Sequence, residues 1–289
     1  MHYRFVTLGL LAVTALVFAG TGCLSTTDFQ SKAGRVTDLS AYSLDAWEMR
    51  TGLGLVGTTL EDVGANIPLE IGLPGNVQLG TNVAHDIGTL LNLNAKWTAL
   101  DFAHFGLAVE VGVKWTNPSL MYFLPQDIRD DYGDINLILL PMRLDMSVPI
   151  LSWMDAHLDV GYLHSGIVGD VETEVDAGVS LSYRELFLDA RLGFYPAGKV
   201  AIFLGAYIPV FARANIYTGG EYEAEPGVYV GATARAYEKV DVRGLNTFYL
   251  QTEMRWGATH LRIGIVQYLR YLDKRIEYPL PTLDLFWRF

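Results

Sequence analysis

The feature that most constrains this chain is the alternation of apolar and polar residues along many of its segments. Between residues 104 and 115, Phe, Leu, Val or Trp occupies every odd position, and a charged, small or His residue occupies every even one. Successive side chains of a β-strand point to opposite faces, so the pattern predicts a strand with one apolar and one polar face. The segment exceeds the roughly 9–11 residues that a tilted strand needs to cross a bilayer.

The same alternation recurs along the rest of the chain, which predicts an all-β fold. Two weaker segments, residues 66–72 and 76–84, are joined by a Pro-Gly-Asn turn. With both weak segments the chain has 12 predicted strands, and without them it has 10. The clear segments are residues 47–55, 91–99, 104–115, 138–146, 158–162, 186–194, 200–210, 248–256, 261–265 and 283–289.

The predicted connections alternate between short and long along the chain. The short ones fall near Asp101, Trp153, Ala197 and Gly257, and the long ones near Arg129, Glu172, Glu223 and Arg275. Transmembrane antiparallel up-and-down β-barrels have this organisation, with short periplasmic turns and long external loops. We predict a fold of this class. Residues 167–182 are expected to form one long connection, and the longest, residues 215–246, is expected to contain a protruding hairpin.

Composition agrees with a barrel but leaves one alternative open. The 289 residues are 51% hydrophobic and only 18% charged, as expected where alternate residues meet lipid. The formal net charge of −11 argues against nucleic acid as a partner. Because alternation does not tell which face is inside, a soluble lipocalin-like barrel with an apolar interior is the alternative.

The chain ends on one of the alternating segments, with Leu283, Leu285, Trp287 and Phe289 on one face. This ending resembles the terminal β-signal of bacterial outer-membrane β-barrel proteins, in which the final strand alternates and closes on Phe. The resemblance implies that these four residues are an assembly signal for the outer-membrane barrel assembly machinery. It also implies a location in the outer membrane of a Gram-negative envelope, in contact with outer-membrane lipid. A Gly often found near the start of that signal is absent here.

Residues 1–22 are predicted to be a secretory signal peptide, because a short start containing Arg4 precedes a long apolar run. The segment Thr21-Gly-Cys23 resembles a bacterial lipobox, which implies lipidation of Cys23. Gly20 departs from that motif, which prefers an aliphatic residue there. Cleavage after Ala19 by the ordinary signal peptidase and retention as an anchor are the alternatives.

Residues 23–43 are rich in Ser, Thr and Asp and lack periodicity, which predicts a periplasmic linker. The barrel domain is then expected at residues 44–289, with the amino terminus of the mature chain in the periplasm. The single Cys excludes an intrachain disulfide.

If the apolar face meets lipid, the opposite face lines the lumen. We then predict a porin-like barrel that passes small solutes through a narrow charged lumen, in which Gly52, Gly106, Gly205 and other glycines leave space. One alternative is a salt-bridged network that fills the barrel. Another is a closed structural or binding barrel that uses acidic external loops. The predicted lumen-lining residues are Lys96, Glu110, Lys114, Arg143, Asp145, Asp159, Glu185, Asp189, Arg191, Glu253, Arg255, Arg262, Asp284 and Arg288.

The sequence favours neither an enzyme nor a metalloprotein. His164 and Ser165 are reminiscent of outer-membrane lipid hydrolases, but adjacent residues of a strand point to opposite faces, so no catalytic residues are predicted. The acidic connection at residues 127–134 could bind Ca²⁺, but Tyr132 stands where an EF-hand requires Gly. No metal ligands and no cofactor are therefore predicted.

Overall fold

The computed structural model describes most of the chain after residue 27. The described residues are 28–29, 31, 33–37, 40–55, 65–88, 91–121, 124–172, 176–225, 228–240, 242, 246–268 and 279–289. The predicted signal peptide and Cys23 lie outside the described residues.

The chain forms one antiparallel sheet that closes on itself. Its strands are β1 (Met49–Leu55), β2 (Ala65–Asn66), β3 (Pro68–Leu73), β4 (Val77–Asn82), β5 (Leu91–Phe102), β6 (Phe105–Thr116), β7 (Asn136–Leu151), β8 (Met154–Glu172), β9 (Asp176–Ala197), β10 (Val200–Glu225), β11 (Val228–Lys239), β12 (Thr247–Trp256), β13 (Thr259–Tyr268) and β14 (Leu280–Arg288). Strands β2 and β11 lie off the ring, which leaves a closed barrel of 12 strands. The prediction of 12 strands, including both weak segments, is confirmed.

The first and last strands of the barrel pair with each other. In this β1–β14 ladder Leu53 lies opposite Leu285, and Arg50 lies opposite Arg288. Beyond the last ladder residue, the backbone N–H of Met49 donates to the carbonyl of Phe289 at 2.8 Å. The carboxyl-terminal strand therefore completes the ring, which leaves no open edge in the barrel wall at this point.

The apolar face of the strands points outward. Large apolar side chains are exposed around the barrel, with Leu93 53%, Leu204 50% and Ile265 47% exposed. Their polar neighbours, such as Lys96 and Glu253, are buried in the interior. A soluble barrel would place these two faces the other way round, because exposed apolar area and buried charge both cost free energy in water.

The two ends of the barrel differ. At one end, the turn end, tight turns join β5 to β6, β7 to β8, β9 to β10 and β12 to β13. At the other, the long-strand end, β8, β9 and β10 run 19, 22 and 26 residues and extend beyond the shorter strands. The long connection predicted at residues 167–182 is therefore wrong in extent, because ladder pairing continues to Glu172 and resumes at Asp176. The hairpin predicted within residues 215–246 is formed by β10 and β11.

Helices are few and short in the described residues. They are two α-helices, α1 (Val83–Gly88) and α2 (Gln126–Tyr132), and 3₁₀ turns at Ala33–Arg35 and Pro118–Leu120. Within the described part of the chain, none of the helices is long and apolar enough to span a membrane.

The segment before β1 lies inside the barrel at the turn end. We call its described residues between 28 and 48 the inner segment. Phe29, Ala41 and Leu44 are almost fully buried, and the backbone N–H of Phe29 donates to the carbonyl of Gly198 in the β9–β10 turn at 2.9 Å. The stretch that composition predicts as a linker is thus packed against the barrel wall at most of its described residues, although Asp28 and Ser31 are exposed.

Candidate functional site

The interior of the barrel is the candidate functional site, because it collects charged side chains that a bilayer-facing surface cannot hold. Ladder register assigns every second residue of each strand to this face. Lys96, for example, lies opposite Glu110 on β6, and Asp145 lies opposite Asp159 on β8. Each charged residue therefore meets charged or polar neighbours from adjacent strands.

Most of the predicted lumen-lining residues are buried in the interior. Lys96, Asp145, Asp159, Glu185, Asp189, Arg191, Glu253, Arg255, Arg262 and Arg288 are each at most 5% exposed. The remaining four, Glu110, Lys114, Arg143 and Asp284, are partly buried. A wide water-filled channel would leave such side chains accessible, whereas here they are packed against their neighbours.

One charged group lies on the β5–β9 side of the lumen. The ammonium nitrogen of Lys96 lies 3.0 Å from the Asp145 carboxylate, and Lys96 also donates to the carbonyl of Ser40 in the inner segment. Asp145, Asp159 and Asp189 are direct neighbours across β7, β8 and β9. The Tyr249 hydroxyl reaches across β10 from β12 and donates to Asp189 at 2.9 Å. Three carboxylates thus meet at one level, with Lys96 as the paired cation.

A second group lies on β12 and β13. The Glu253 carboxylate accepts from Arg255 at 3.1 Å, from Arg262 at 3.1 Å and lies 2.9 Å from Nδ1 of His260. Glu253 itself is fully buried. Because a buried carboxylate needs compensating donors, these three partners are what keep it charged inside the barrel.

A third group closes the seam between the first and last strands. Arg288 donates to Glu48 at 2.7–2.8 Å, and Arg50 donates to Glu70 at 2.9 Å. The Arg50 guanidinium also lies 5.6 Å from the ring centre of Phe286, which points inward from β14. Ion pairs therefore join β14, β1 and β3 from the inside.

Aromatic rings fill the space beside the inward-facing glycines. A Cβ on Gly205 would lie 2.2 Å from the Tyr249 ring, and a Cβ on Gly161 would lie 2.0 Å from the Phe187 ring. The expectation that these glycines leave open space in the lumen is wrong for Gly106 and Gly205, because the rings of Tyr42 and Tyr249 occupy that space. It is also wrong for Gly52, whose space is taken by the Cβ of Phe286 and the carbonyl of Leu285. The glycines allow close ring packing instead.

The inner segment binds the wall through polar contacts in addition to the apolar packing of Phe29 against Tyr195 and Phe203. Arg191 donates to the Thr37 hydroxyl at 2.5 Å, and the Thr98 hydroxyl donates to the carbonyl of Ala41 at 2.9 Å. The Leu44 N–H donates to Gln78 at 3.1 Å. These contacts reach β9, β5 and β4 in turn, so the segment follows the inside of the barrel wall towards β1.

Arg35 joins the inner segment to the β7–β8 turn and to β9. Its guanidinium donates to the carbonyl of Ser152 at 2.5 Å and lies 4.5 Å from the ring centre of Tyr195. Nearby, burial raises the pKa of Tyr42 to about 12; the Asp155 carboxylate adds to this shift and Arg35 opposes it. Tyr42 is therefore neutral at physiological pH and packs as an uncharged ring.

Ser147, His157 and Asp155 form a hydrogen-bonded chain under the inner segment. The Ser147 hydroxyl lies 2.7 Å from Nδ1 of His157, and Nε2 of His157 lies 3.1 Å from Asp155. The Ala41 N–H donates to Ser147 at 2.8 Å. Although these residue types recur in hydrolases, Ser147 is fully buried and already receives this N–H, so the arrangement leaves a substrate no approach. Its evident effect is to hold Ala41 in place.

His164 and Ser165 do not form such a chain. His164 lies opposite Arg184 on the outward face, and Ser165 lies opposite Tyr183 on the inward face, as the regular alternation of a strand requires. The sequence interpretation missed Ser147, His157 and Asp155. Alternation could have placed these three residues on the inward face of β7 and β8. Their common contact with the inner segment could not be predicted from it.

A cavity of about 270 Å³ opens at the turn end between the inner segment and the β3–β4 turn. Its lining includes Tyr42, Asp45, Pro74, Thr98 and Asp101. The cavity thus borders the inner segment on the side where the chain enters β1. In the described residues, no group of three His, Cys, Asp or Glu side chains is placed to hold a metal ion.

The residues of the predicted assembly signal lie on β14 and just beyond it. Leu283 is 45% exposed, and Leu285, Trp287 and Phe289 are partly exposed, whereas Phe286 faces the interior. The signal residues therefore belong to the outward apolar face.

A closed antiparallel barrel with an apolar exterior and a charged interior is a transmembrane β-barrel. No protein-family model and no curated protein matches this sequence. Solved structures with a similar fold include the toluene transporter TodX of Pseudomonas putida, at 8% identity, 92% coverage of this chain, 94% of that chain and a TM-score of 0.38. The monoaromatic hydrocarbon channel CymD is 8% identical, with 85% coverage of this chain, 88% of that chain and a TM-score of 0.38. CdiB from Acinetobacter baumannii is 10% identical, with 84% coverage of this chain, 60% of that chain and a TM-score of 0.29.

Proposed function

We propose that the protein is an outer-membrane barrel that passes small polar solutes and that its lumen is closed in this state by the inner segment. The charged interior carries the proposal. A barrel needed only as a closed support could be filled by apolar side chains, which avoids the desolvation cost of buried ions. Retaining Lys96, Arg191 and three neighbouring aspartates inside the barrel therefore supports a path that water and polar solutes enter.

The contacts of the inner segment support reversible closure. Lys96 and Arg191 contact Ser40 and Thr37, so withdrawal of the segment removes one partner of each cation, while Lys96 keeps its pair with Asp145. Hydrogen bonds of this kind exchange with water at a small net cost, about 0.5–1.5 kcal/mol each. The segment can therefore leave without breaking the ladders of the wall.

The orientation follows from the same features. We place the turn end in the periplasm, because external loops of outer-membrane barrels are the long ones. The inner segment then enters from the periplasmic side, and the terminal residues that end on Phe289 are available to the barrel assembly machinery there. The outward apolar face contacts outer-membrane lipid.

Conductance in planar bilayers tests the proposal. The full-length chain is compared with a variant that lacks residues 28–46, which keeps Glu48 and its pair with Arg288. We expect the full-length barrel to be mostly closed and the deletion variant to conduct persistently. Folding of the variant is verified by comparing its mobility in SDS gels before and after heating, because a folded barrel that is not heated migrates differently from the unfolded chain. A folded deletion variant that does not conduct would contradict the proposal.

The second candidate function is a permanently closed structural or binding barrel. The observation that favours it is the burial of charged side chains that pack within the barrel wall, such as Asp159 and Asp189. It predicts the same absence of conductance with and without residues 28–46.

A further inference from the structure

The outward face of the long-strand end carries a row of basic side chains. Ladder register places His164, Arg184, Arg213 and Lys239 directly opposite one another across β8, β9, β10 and β11. Adjacent strands lie about 4.8 Å apart, so the row is roughly 15 Å long. Arg184, Arg213 and Lys239 are exposed. We call these four residues the basic row.

The basic row lies at the edge of the apolar exterior. Towards the turn end, the next outward residues are Tyr162 on β8, Leu186 on β9 and Phe211 on β10, and Leu186 pairs with both of the others. On the other side the polar pair Ser182 and Asn215 lies between Gly166 and the aromatic Tyr237. The basic row therefore occupies the level at which hydrocarbon gives way to lipid headgroups.

The arrangement is unfavourable without an anion. Like charges directly opposite each other destabilise a sheet, and Arg213 has Arg184 on one side and Lys239 on the other. The Arg213 guanidinium lies 5.7 Å from the centre of the Tyr237 ring. Among the described residues, no carboxylate forms an ion pair with Arg184, Arg213 or Lys239. Binding of an external anion would relieve the repulsion within the row.

We infer that the basic row binds the phosphate groups of a lipid in the leaflet that surrounds the long-strand end. Arg guanidinium groups match phosphate oxygens in a bidentate geometry, and Lys adds a point charge. The length of the row accommodates a glycolipid that carries two phosphates. The inference shares the proposed location of this end in the external leaflet but does not depend on conduction.

Equilibrium binding in nonionic detergent micelles tests the inference with the full-length chain. The probes are diphosphoryl lipid A, the same lipid after removal of both phosphates, and inorganic phosphate. Near a membrane surface each basic residue contributes about fivefold to binding of an anionic lipid. Arg213→Gln should therefore weaken binding of diphosphoryl lipid A about fivefold, and Arg184→Gln/Arg213→Gln/Lys239→Gln about 100-fold.

The control variant is Lys199→Gln, which removes an exposed cation from the β9–β10 turn at the opposite end. It should bind as the unmodified protein does, and Arg213→Lys should retain most of the affinity. The inference is overturned if Lys199→Gln loses as much affinity as Arg213→Gln, or if the dephosphorylated lipid binds equally well. Equal competition by inorganic phosphate alone would also overturn it, because the site would then recognise free phosphate rather than lipid. Each variant is shown to be folded when its unheated sample has the same mobility in SDS gels as the unheated unmodified protein.

Discussion

At the scale of single residues, the interior of this barrel is held together by charges that have specific partners. Glu253 is the clearest case, since it is fully buried and binds Arg255, Arg262 and His260. Removing one charge from such a group leaves the others without compensation in a medium that solvates them poorly. The position of Glu253 on the polar face was predicted from alternation, and Arg255 lies two residues along the same strand. The contacts with Arg262 and His260, however, depend on the pairing of β12 with β13.

Glu253→Gln should destabilise the barrel. The substitution keeps the shape of the side chain but removes the negative charge that compensates Arg255 and Arg262. We expect the free energy of unfolding to fall by about 3–5 kcal/mol, measured by denaturant unfolding in lipid vesicles. Glu238→Gln, at an exposed position of β11, is the matched control and should change it by less than about 0.5 kcal/mol. Equal effects of the two substitutions would show that Glu253 is not in a compensated buried group.

Gly161→Ala should also destabilise the protein, for a steric reason. The added Cβ would lie 2.0 Å from the Phe187 ring, so the ring must leave its position. Overpacking of this kind costs about 1–3 kcal/mol. Gly166→Ala on the same strand is the control, because nothing lies within 4 Å of its added Cβ. If the two variants unfold at the same denaturant concentration, the ring does not pack over Gly161.

At the scale of elements, the inner segment is what sequence reasoning could not place. Its Ser, Thr and Asp content is typical of a linker, but a segment that packs against a polar lumen needs the same composition. Periodicity gives no help, because the segment makes irregular side-chain contacts rather than a ladder. The contact of Ala41 with Ser147 joins positions 106 residues apart, which no local pattern reveals.

Ser147→Ala should loosen the inner segment without unfolding the barrel. The variant loses the acceptor for the Ala41 N–H, so we expect the Ala41 amide to exchange its hydrogen about fivefold faster, for the loss of roughly 1 kcal/mol. Ser152→Ala is the control, since Arg35 uses only the Ser152 backbone carbonyl. Unchanged exchange at Ala41 in Ser147→Ala would mean that this bond does not hold the segment.

The strands themselves were largely predictable, and their lengths were not. Alternation located all 12 strands of the ring, including the weak β3 and β4. It failed beyond Ile167, where β8 and β9 leave the apolar band and continue as paired strands with little difference between their faces. Outside the bilayer, both faces of a strand meet water, and the alternation that identifies a membrane strand disappears.

At the scale of the whole molecule, the decisive observation is which face points inward. The sequence predicts an apolar and a polar face for each strand, but it is equally compatible with a soluble barrel whose apolar face points inward. Closure of the ring with Lys96 and Glu253 inside and Leu204 outside excludes that alternative. In the proposed function, the inner segment determines whether the charged interior conducts.

Locking the inner segment to the wall tests this account most directly. A Cβ on Gly106 would lie 3.2 Å from the Cβ of Ala41, close to the roughly 3.5–4.5 Å of a disulfide. The variant Ala41→Cys/Gly106→Cys is made with Cys23→Ser, so that no other thiol is present. The two single-Cys variants in the same background are the controls. The oxidised bond is verified by mass before each recording.

Single-channel conductance of this variant in a planar bilayer is the deciding measurement. If the inner segment closes the lumen, oxidation abolishes openings and a reductant restores them, whereas the single-Cys controls respond to neither treatment. Openings of unchanged size and frequency in the oxidised, cross-linked barrel would contradict closure by the inner segment, because solutes would then pass without its movement.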